Sequence, residues 1–306
     1  MIVRGRELQK DITIACDAVV IGTGAGGSVA LRELARAGLR AVALEEGGHH
    51  TVGDFTQREE EMLPKLFQDG GGRTTDDYAI RILQGRGVGG STVHNTNLCK
   101  PTPAPILELW RDRYHVSGAG PAELRPRFEQ IERELSVSEI PTALLNKNND
   151  ALRAGCKALG WKGAPLRHNR VGCQQSGFCE LGCMFDAKQK ALKVVLPQAE
   201  AAGAVIYSDV QAVRVTHERG RVTGVLAVAR DESGAPRAWV TVRARLVVLA
   251  GSAVGSAVLA RTSALPDPYA QVGQRLRIHP GAVVAGRFDH AVSGWAGIPQ
   301  SYECTE

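Results

Sequence analysis

AVVIGTGAGGSVALRELARAG, residues 18–38, decides how the rest of the chain is read. Ala18 to Ile21 is a short apolar run of the kind a buried strand supplies. Gly22, Gly24 and Gly27 follow at the spacing G-x-G-x-x-G. Ala30, Leu31, Leu34 and Ala35 then recur at helical spacing until Gly38, read as a C-cap. AVALE, residues 41–45, is a second short strand, and it ends on an acid. Strand, glycine turn, helix, strand and acid form a dinucleotide-binding unit. Gly22 permits the turn, Gly24 lets backbone approach a pyrophosphate, and Gly27 lets the helix pack on the strand. The helix N-terminus offers unpaired N–H groups and the positive end of its dipole to the phosphates. Glu45 is placed to accept from a ribose hydroxyl. The motif by itself suits a nicotinamide or a flavin dinucleotide equally.

The chain of 306 residues is 43% apolar, enough for a large core. Its net charge of +5 is spread without a Lys/Arg block or a basic aromatic stripe, which argues against nucleic-acid binding. The start, MIVRGRELQKDITIAC, lacks the apolar stretch of a secretory leader. The most apolar run, Leu246 to Ala260, is interrupted by Gly251, Ser252, Gly255 and Ser256, so no membrane span is expected. Seven cysteines in such a chain favour free thiols or a metal over a disulfide framework. A cytoplasmic location follows as the expectation.

Outward from the first motif, residues 49–84 are polar and irregular. Residues 101–165 read as mostly helical, with RPRFEQIERELSV the clearest amphipathic piece. Residues 166–187 form a cysteine-bearing loop. AKQKALKVVLPQAEAAG reads as a helix leading into one strand, VIYSDV. The stretch from Arg214 to Gly251 alternates at period two between turn signals and predicts an antiparallel β-meander.

A second glycine loop, GRGVGGSTVHN, occupies residues 85–95. A nicotinamide domain has no need of it, whereas a flavin dinucleotide is longer and its far end requires more backbone. Here the sequence resembles the glucose–methanol–choline (GMC) flavin oxidoreductases. The matching pieces are IGTGAGGSVAL with LEEGG, then GRGVGGSTVHN, RLVVLAGSAVGSAVLARTS and VGQRLRIHPG, in the family's order.

The resemblance implies an α/β fold: a Rossmann-like FAD-binding domain of the glutathione-reductase type with a β-meander, plus an incomplete helical, substrate-side portion. It implies FAD held by Gly22, Gly24, Gly27 and Glu45. Arg86, Gly89, Gly90 and Ser91 would line the pyrophosphate and the path to the flavin, with Asn95 near the isoalloxazine. Val210 would give adenine a backbone contact, and Gly251 would sit in a second turn near the cofactor. Some family members tether FAD through a histidine at the position of His94. The expected division is 1–100 and 196–290 for the FAD domain, 101–195 for a helical and cysteine-loop insertion, and 291–306 for the start of a substrate domain. The implied reaction passes hydride from an alcohol carbon to flavin N5, with oxygen, a quinone or a cytochrome as final acceptor.

Cys173, Cys179 and Cys183 are spaced C-x5-C-x3-C, which is not the paired C-x2-C pattern of zinc sites. Three thiolates are enough for an iron–sulfur cluster with one open corner, as in some bacterial members of the family. A disulfide, Cys173–Cys179 or Cys179–Cys183, or plain thiols are the alternatives. The family's catalytic base is a histidine in a segment beyond VGQRLRIHPG, and none of the eight histidines here sits in such a segment. No catalytic residue is therefore expected in this chain. Exposed apolar surface is expected, together with the alternative of a silent FAD-binding fragment that acts through a partner chain.

Overall fold

The computed structural model describes residues 1–279, 281 and 283–306; Pro280, in the VGQRLRIHPG stretch, lies outside them. In chain order the elements are β1 (Ile2–Arg4), β2 (Ile12–Ala15), β3 (Ala18–Ile21), α1 (Ala25–Arg36), β4 (Ala41–Leu44), α2 (Glu59–Leu66), α3 (Ala104–Asp112), α4 (Pro121–Glu134), β5 (Val137–Glu139) and α5 (Lys147–Leu159). They continue with β6 (Gly163–Pro165), β7 (Arg167–Asn169), α6 (Ala191–Ala201), β8 (Val205–Ser208), β9 (Val210–Glu218), β10 (Arg221–Arg230), β11 (Pro236–Arg243), β12 (Leu246–Leu249), α7 (Ser252–Thr262) and β13 (Tyr302–Cys304).

The chain divides into two compact units, residues 1–94 with 190–285 and residues 95–189 with 286–306. In the first unit a parallel sheet runs β1-β8-β4-β3-β12. Its central strands are apolar at every position because both faces are covered. Val19 and Ile21 of β3 join Val42, Leu44, Val215, Val225 and Val240 in one core. Val20, on the opposite face, joins Leu31 and Ala35 of α1 and Leu196 and Ala199 of α6. Val19, Val20, Leu31 and Leu44 are at most 1% exposed. Burying each such side chain is worth roughly 1.5–3 kcal/mol, and this fastens the α1 N-terminus at the C-terminal end of β3.

The expected meander is β9–β10–β11, antiparallel throughout. Its sheet has a fourth strand that the alternation did not reveal: β2, from DITIA, pairs parallel with β11. VIYSDV is not one strand. Asp209 breaks it with φ +56°. Its N–H donates to the Gly47 carbonyl at 2.9 Å and its carboxylate accepts from Arg6 Nε at 3.2 Å. Those partners hold the kink and turn β9 out of the parallel sheet.

The second unit contains α3, α4 and α5 with two small antiparallel ribbons, β5–β7 and β6–β13. Ile140, Leu166 and Ile298 form its core. Residues 291–306, expected to begin a separate domain, fall within this unit, where Tyr302–Cys304 pairs with Gly163–Pro165. Lys190, expected in the middle insertion, belongs to the first unit, where its ammonium lies 4.6 Å from the centre of the Phe55 ring. Val283 (96%) and Trp295 (81%) are among the exposed apolar residues. Among the described residues no helix is long and apolar enough to cross a membrane.

Candidate FAD-binding site

The first glycine loop is built as its spacing requires. Gly22 has φ +98°, and a Cβ there would stand 2.4 Å from the Ala250 carbonyl oxygen. A Cβ on Gly27 would stand 2.0 Å from the Gly22 oxygen, so only glycine lets α1 start this close to β3. Gly24 and Gly26 differ. A Cβ on Gly24 would meet only the Gly90 Cα, at 3.9 Å, and one on Gly26 would meet nothing within 4 Å. No side chain caps α1 and its first turn holds no acid. Ala25 and Gly26 are exposed. The N-terminal amides of α1, which lack intrahelical partners, thus open onto a cradle lined by glycine. That is what a dinucleotide pyrophosphate needs, and these residues fit FAD.

The second glycine loop lies against the first. A Cβ on Gly90 would stand 2.7 Å from the Gly24 Cα. Gly89 N–H donates to Thr23 Oγ1 at 3.1 Å, and Gly87 N–H donates to Glu45 Oε1 at 3.2 Å. Thr92 Oγ1 donates to the Gly89 carbonyl at 2.6 Å and accepts from Ala191 N–H at 3.1 Å, tying the loop to the start of α6. Arg86 is half-buried, its N–H donating to the Leu66 carbonyl at 2.8 Å. Ser91 is exposed and its Oγ accepts from Gly85 N–H at 2.9 Å.

Glu45 is buried, and its carboxylate is engaged by the chain itself. Oε2 accepts from Thr23 N–H at 3.0 Å and from Thr23 Oγ1 at 2.8 Å. Oε1 accepts from Gly47 N–H at 3.1 Å as well as from Gly87. Burial pushes its carboxyl above the usual range, while Thr23 and Gly47 pull it back. Val210 is fully buried and its N–H donates to the Glu45 carbonyl at 2.8 Å. Gly251 precedes α7, which also lacks a side-chain cap.

His94 is 6% exposed, its ring 4.0 Å from that of Phe67 and tilted by 42°. A Cβ on Gly85 would meet His94 Nε2 at 2.7 Å. Asn95 is exposed and is the first residue of the second unit, where its Oδ1 accepts from Asn97 N–H at 3.2 Å. The structure therefore brings Gly22, Gly24, Gly27, Glu45, Gly89 and Gly90 together in one unit. Sequence reasoning missed Thr23 and Gly47, which join the loops. Their only signal was their place inside the two motifs.

In the second unit Cys173, Cys179 and Cys183 line one cavity with His168, Arg170 and Phe178. All seven cysteines are free thiols. Burial pushes the Cys179 thiol up, while the ammonium of Lys188 pulls it down. That ammonium donates to the carbonyls of Asn95 (2.5 Å) and Cys179 (2.7 Å). Among the described residues no group of three or more His, Cys, Asp or Glu side chains is arranged to hold a metal ion. The cysteine loop thus presents no preformed ligand set for an iron–sulfur cluster, nor either disulfide.

Residues 63–281 match the family model described as GMC oxidoreductase. The chain belongs to this family. An uncharacterised GMC-type oxidoreductase of Mycobacterium tuberculosis is 36% identical over 287 residues, covering 93% of this chain and 45% of its own length. A long-chain-alcohol oxidase of Arabidopsis thaliana is 29% identical over 293 residues, covering 93% of this chain and 38% of its own. The chain spans about half the length, or less, of these relatives. Among solved structures, pyridoxine 4-oxidase from Mesorbium loti superposes with a TM-score of 0.64 at 18% identity, over 82% of this chain and 52% of that one. A formate oxidase gives 0.56 at 16%, over 81% and 47%. At that identity the likeness speaks for the fold alone.

Proposed function

We propose that this GMC oxidoreductase chain binds FAD and serves the oxidation of an alcohol CH–OH group to a carbonyl. The observation that carries the proposal is the uncapped start of α1, opening at Gly24 and Gly26 onto the second glycine loop. When bound, FAD supplies a hydride acceptor at flavin N5. The amides of the α1 N-terminus hold its pyrophosphate, and the backbone of Gly89 and Gly90 bounds the path to the flavin. Arg86 and Ser91 flank that path, and Val210 and Gly251 frame the nucleotide end through their backbone. Asn95 is assigned to the isoalloxazine end. No residue of this chain is assigned as the base that takes the alcohol proton.

The names of the plant relatives favour a long-chain alcohol as substrate, ahead of a sugar or sterol. The acceptor is oxygen, a quinone or a cytochrome, and the setting is cytoplasmic. A silent FAD-binding chain that acts through a partner is the second reading, favoured by the exposed apolar side chains of Val283, Val284 and Trp295.

An absorption spectrum of the purified chain, repeated after acid precipitation, tests the proposal. Flavin bands in the native protein support it; a colourless protein that takes up no added FAD overturns it. Colour that stays in the pellet, and moves to the supernatant in His94→Ala, places a covalent tether on His94. Broad absorbance beneath the flavin bands would report a cluster on Cys173, Cys179 and Cys183 after rearrangement of their loop. A panel of primary and secondary alcohols then separates an active oxidoreductase from a silent FAD-binding chain.

A further inference from the structure

We infer that Thr23 and Glu45 form a buried joint that holds the two glycine loops in register, and that Thr23 is a positioning residue for the dinucleotide. The inference rests on the FAD reading above and concerns the residues beneath the cofactor rather than those that touch it.

The joint is a chain of hydrogen bonds. Gly89 N–H donates to Thr23 Oγ1, which donates to Glu45 Oε2; Thr23 N–H donates to the same oxygen, and Gly87 and Gly47 donate to the other. Thr23 is 0% and Glu45 6% exposed. A carboxylate has about four lone-pair sites, and all four are filled from within the protein. The two Glu45 oxygens are the meeting point of these donors. They join three segments: the first loop, the turn after β4 and the second loop. The packing around the joint leaves no slack, since a Cβ on Gly47 would stand 2.2 Å from Gly87 N and one on Gly90 would stand 2.7 Å from Gly24 Cα. A cradle fixed in this way is ordered before its ligand arrives, so ordering the loops takes nothing from the affinity for FAD. Thr23 is well suited to the role, because one hydroxyl can accept from Gly89 and donate to Glu45 at once.

The test compares Thr23→Val, which keeps the branched shape and removes the hydroxyl, with Thr23→Ser, which keeps the hydroxyl. FAD affinity is read from quenching of flavin fluorescence on titration into the FAD-free chain. Amide hydrogen exchange is read across residues 85–90. We expect Thr23→Val to weaken FAD binding at least about tenfold and to speed exchange at Gly87 and Gly89. Thr23→Ser should stay within about twofold of the parent in both. Equal FAD binding and equal exchange in Thr23→Val would overturn the joint. Should Thr23→Val not fold, the parent decides: amides of Gly87 and Gly89 exchanging as fast as those of exposed loops would also overturn it. Failure of the parent to bind FAD would refute the FAD reading, while slow exchange at those two glycines would still support the joint.

Discussion

Alanine at each of three neighbouring glycines should have three different effects, and the contrast tests the site directly. A methyl on Gly27 would have to fit 2.0 Å from the Gly22 oxygen and 3.1 Å from the Ala250 Cβ. The first gap is more than 1 Å short of an ordinary carbon–oxygen contact, so α1 must move off the sheet. Overpacking of this kind costs roughly 1–3 kcal/mol or more, and Gly27→Ala should lower the urea midpoint clearly. Gly26→Ala meets nothing within 4 Å and lies inside the first turn of α1. It should stabilise the chain by about 0.5–1 kcal/mol, since alanine is the better helix former. Gly24→Ala is the decisive one. Its φ of −65° and ψ of −165° suit alanine, and its nearest neighbour would be 3.9 Å away. The fold should lose at most about 1 kcal/mol, mainly because alanine is a poorer N-cap. The methyl would nevertheless stand where backbone must approach the pyrophosphate, so FAD affinity should fall at least about tenfold, or about 1.4 kcal/mol. Urea denaturation of the FAD-free chain and a flavin fluorescence titration supply the two readings. FAD binding by Gly24→Ala as tight as the parent's would refute the placement of the pyrophosphate at α1.

His168 is 2% exposed, and burial first, then the charge of Arg170, lowers its pKa from 6.5 to about 4. The unfolded chain then takes up a proton that the folded chain refuses, so stability should fall as pH drops from about 6.5 to about 4, by up to about 3 kcal/mol. Urea midpoints measured against pH should show this slope, and His168→Gln should flatten it. Cys156, on α5, is 2% exposed, and its thiol is held up by burial and by a hydrogen bond with Cys304 of β13. A disulfide oxidant such as diamide should cross-link these two, giving a Cys156–Cys304 peptide by mass spectrometry. Gly224 has φ +153°, and a Cβ there would stand 1.8 Å from the Val242 carbonyl oxygen. Gly224→Ala should therefore destabilise the meander by about 1–3 kcal/mol, read as a lowered midpoint with the spectrum of any bound flavin retained.

The sequence by itself determined the first βαβ unit, because its signals are local. A strand of four apolar residues, a glycine turn and an amphipathic helix are each dictated within a few residues, and β3, α1 and β4 lie where the periodicity puts them. The meander was legible for the same reason, through alternation between tight turns. What lay outside local pattern was decided by tertiary structure. The strand β2 is short and reads as polar alternation; only β11 beside it makes it part of a sheet. The break at Asp209 depends on Arg6 and Gly47, which are distant in sequence. Residues 286–306 join the second unit through a pairing with β6, more than a hundred residues earlier. The candidate site divides along the same line. Its glycines could be found from spacing, since the space that glycine leaves is a property of the residue. The use of Glu45 could not. A carboxylate at the end of a strand can face a ligand or its own backbone, and the direction depends on which amides the fold brings to it. Here the fold brings those of Thr23, Gly47 and Gly87.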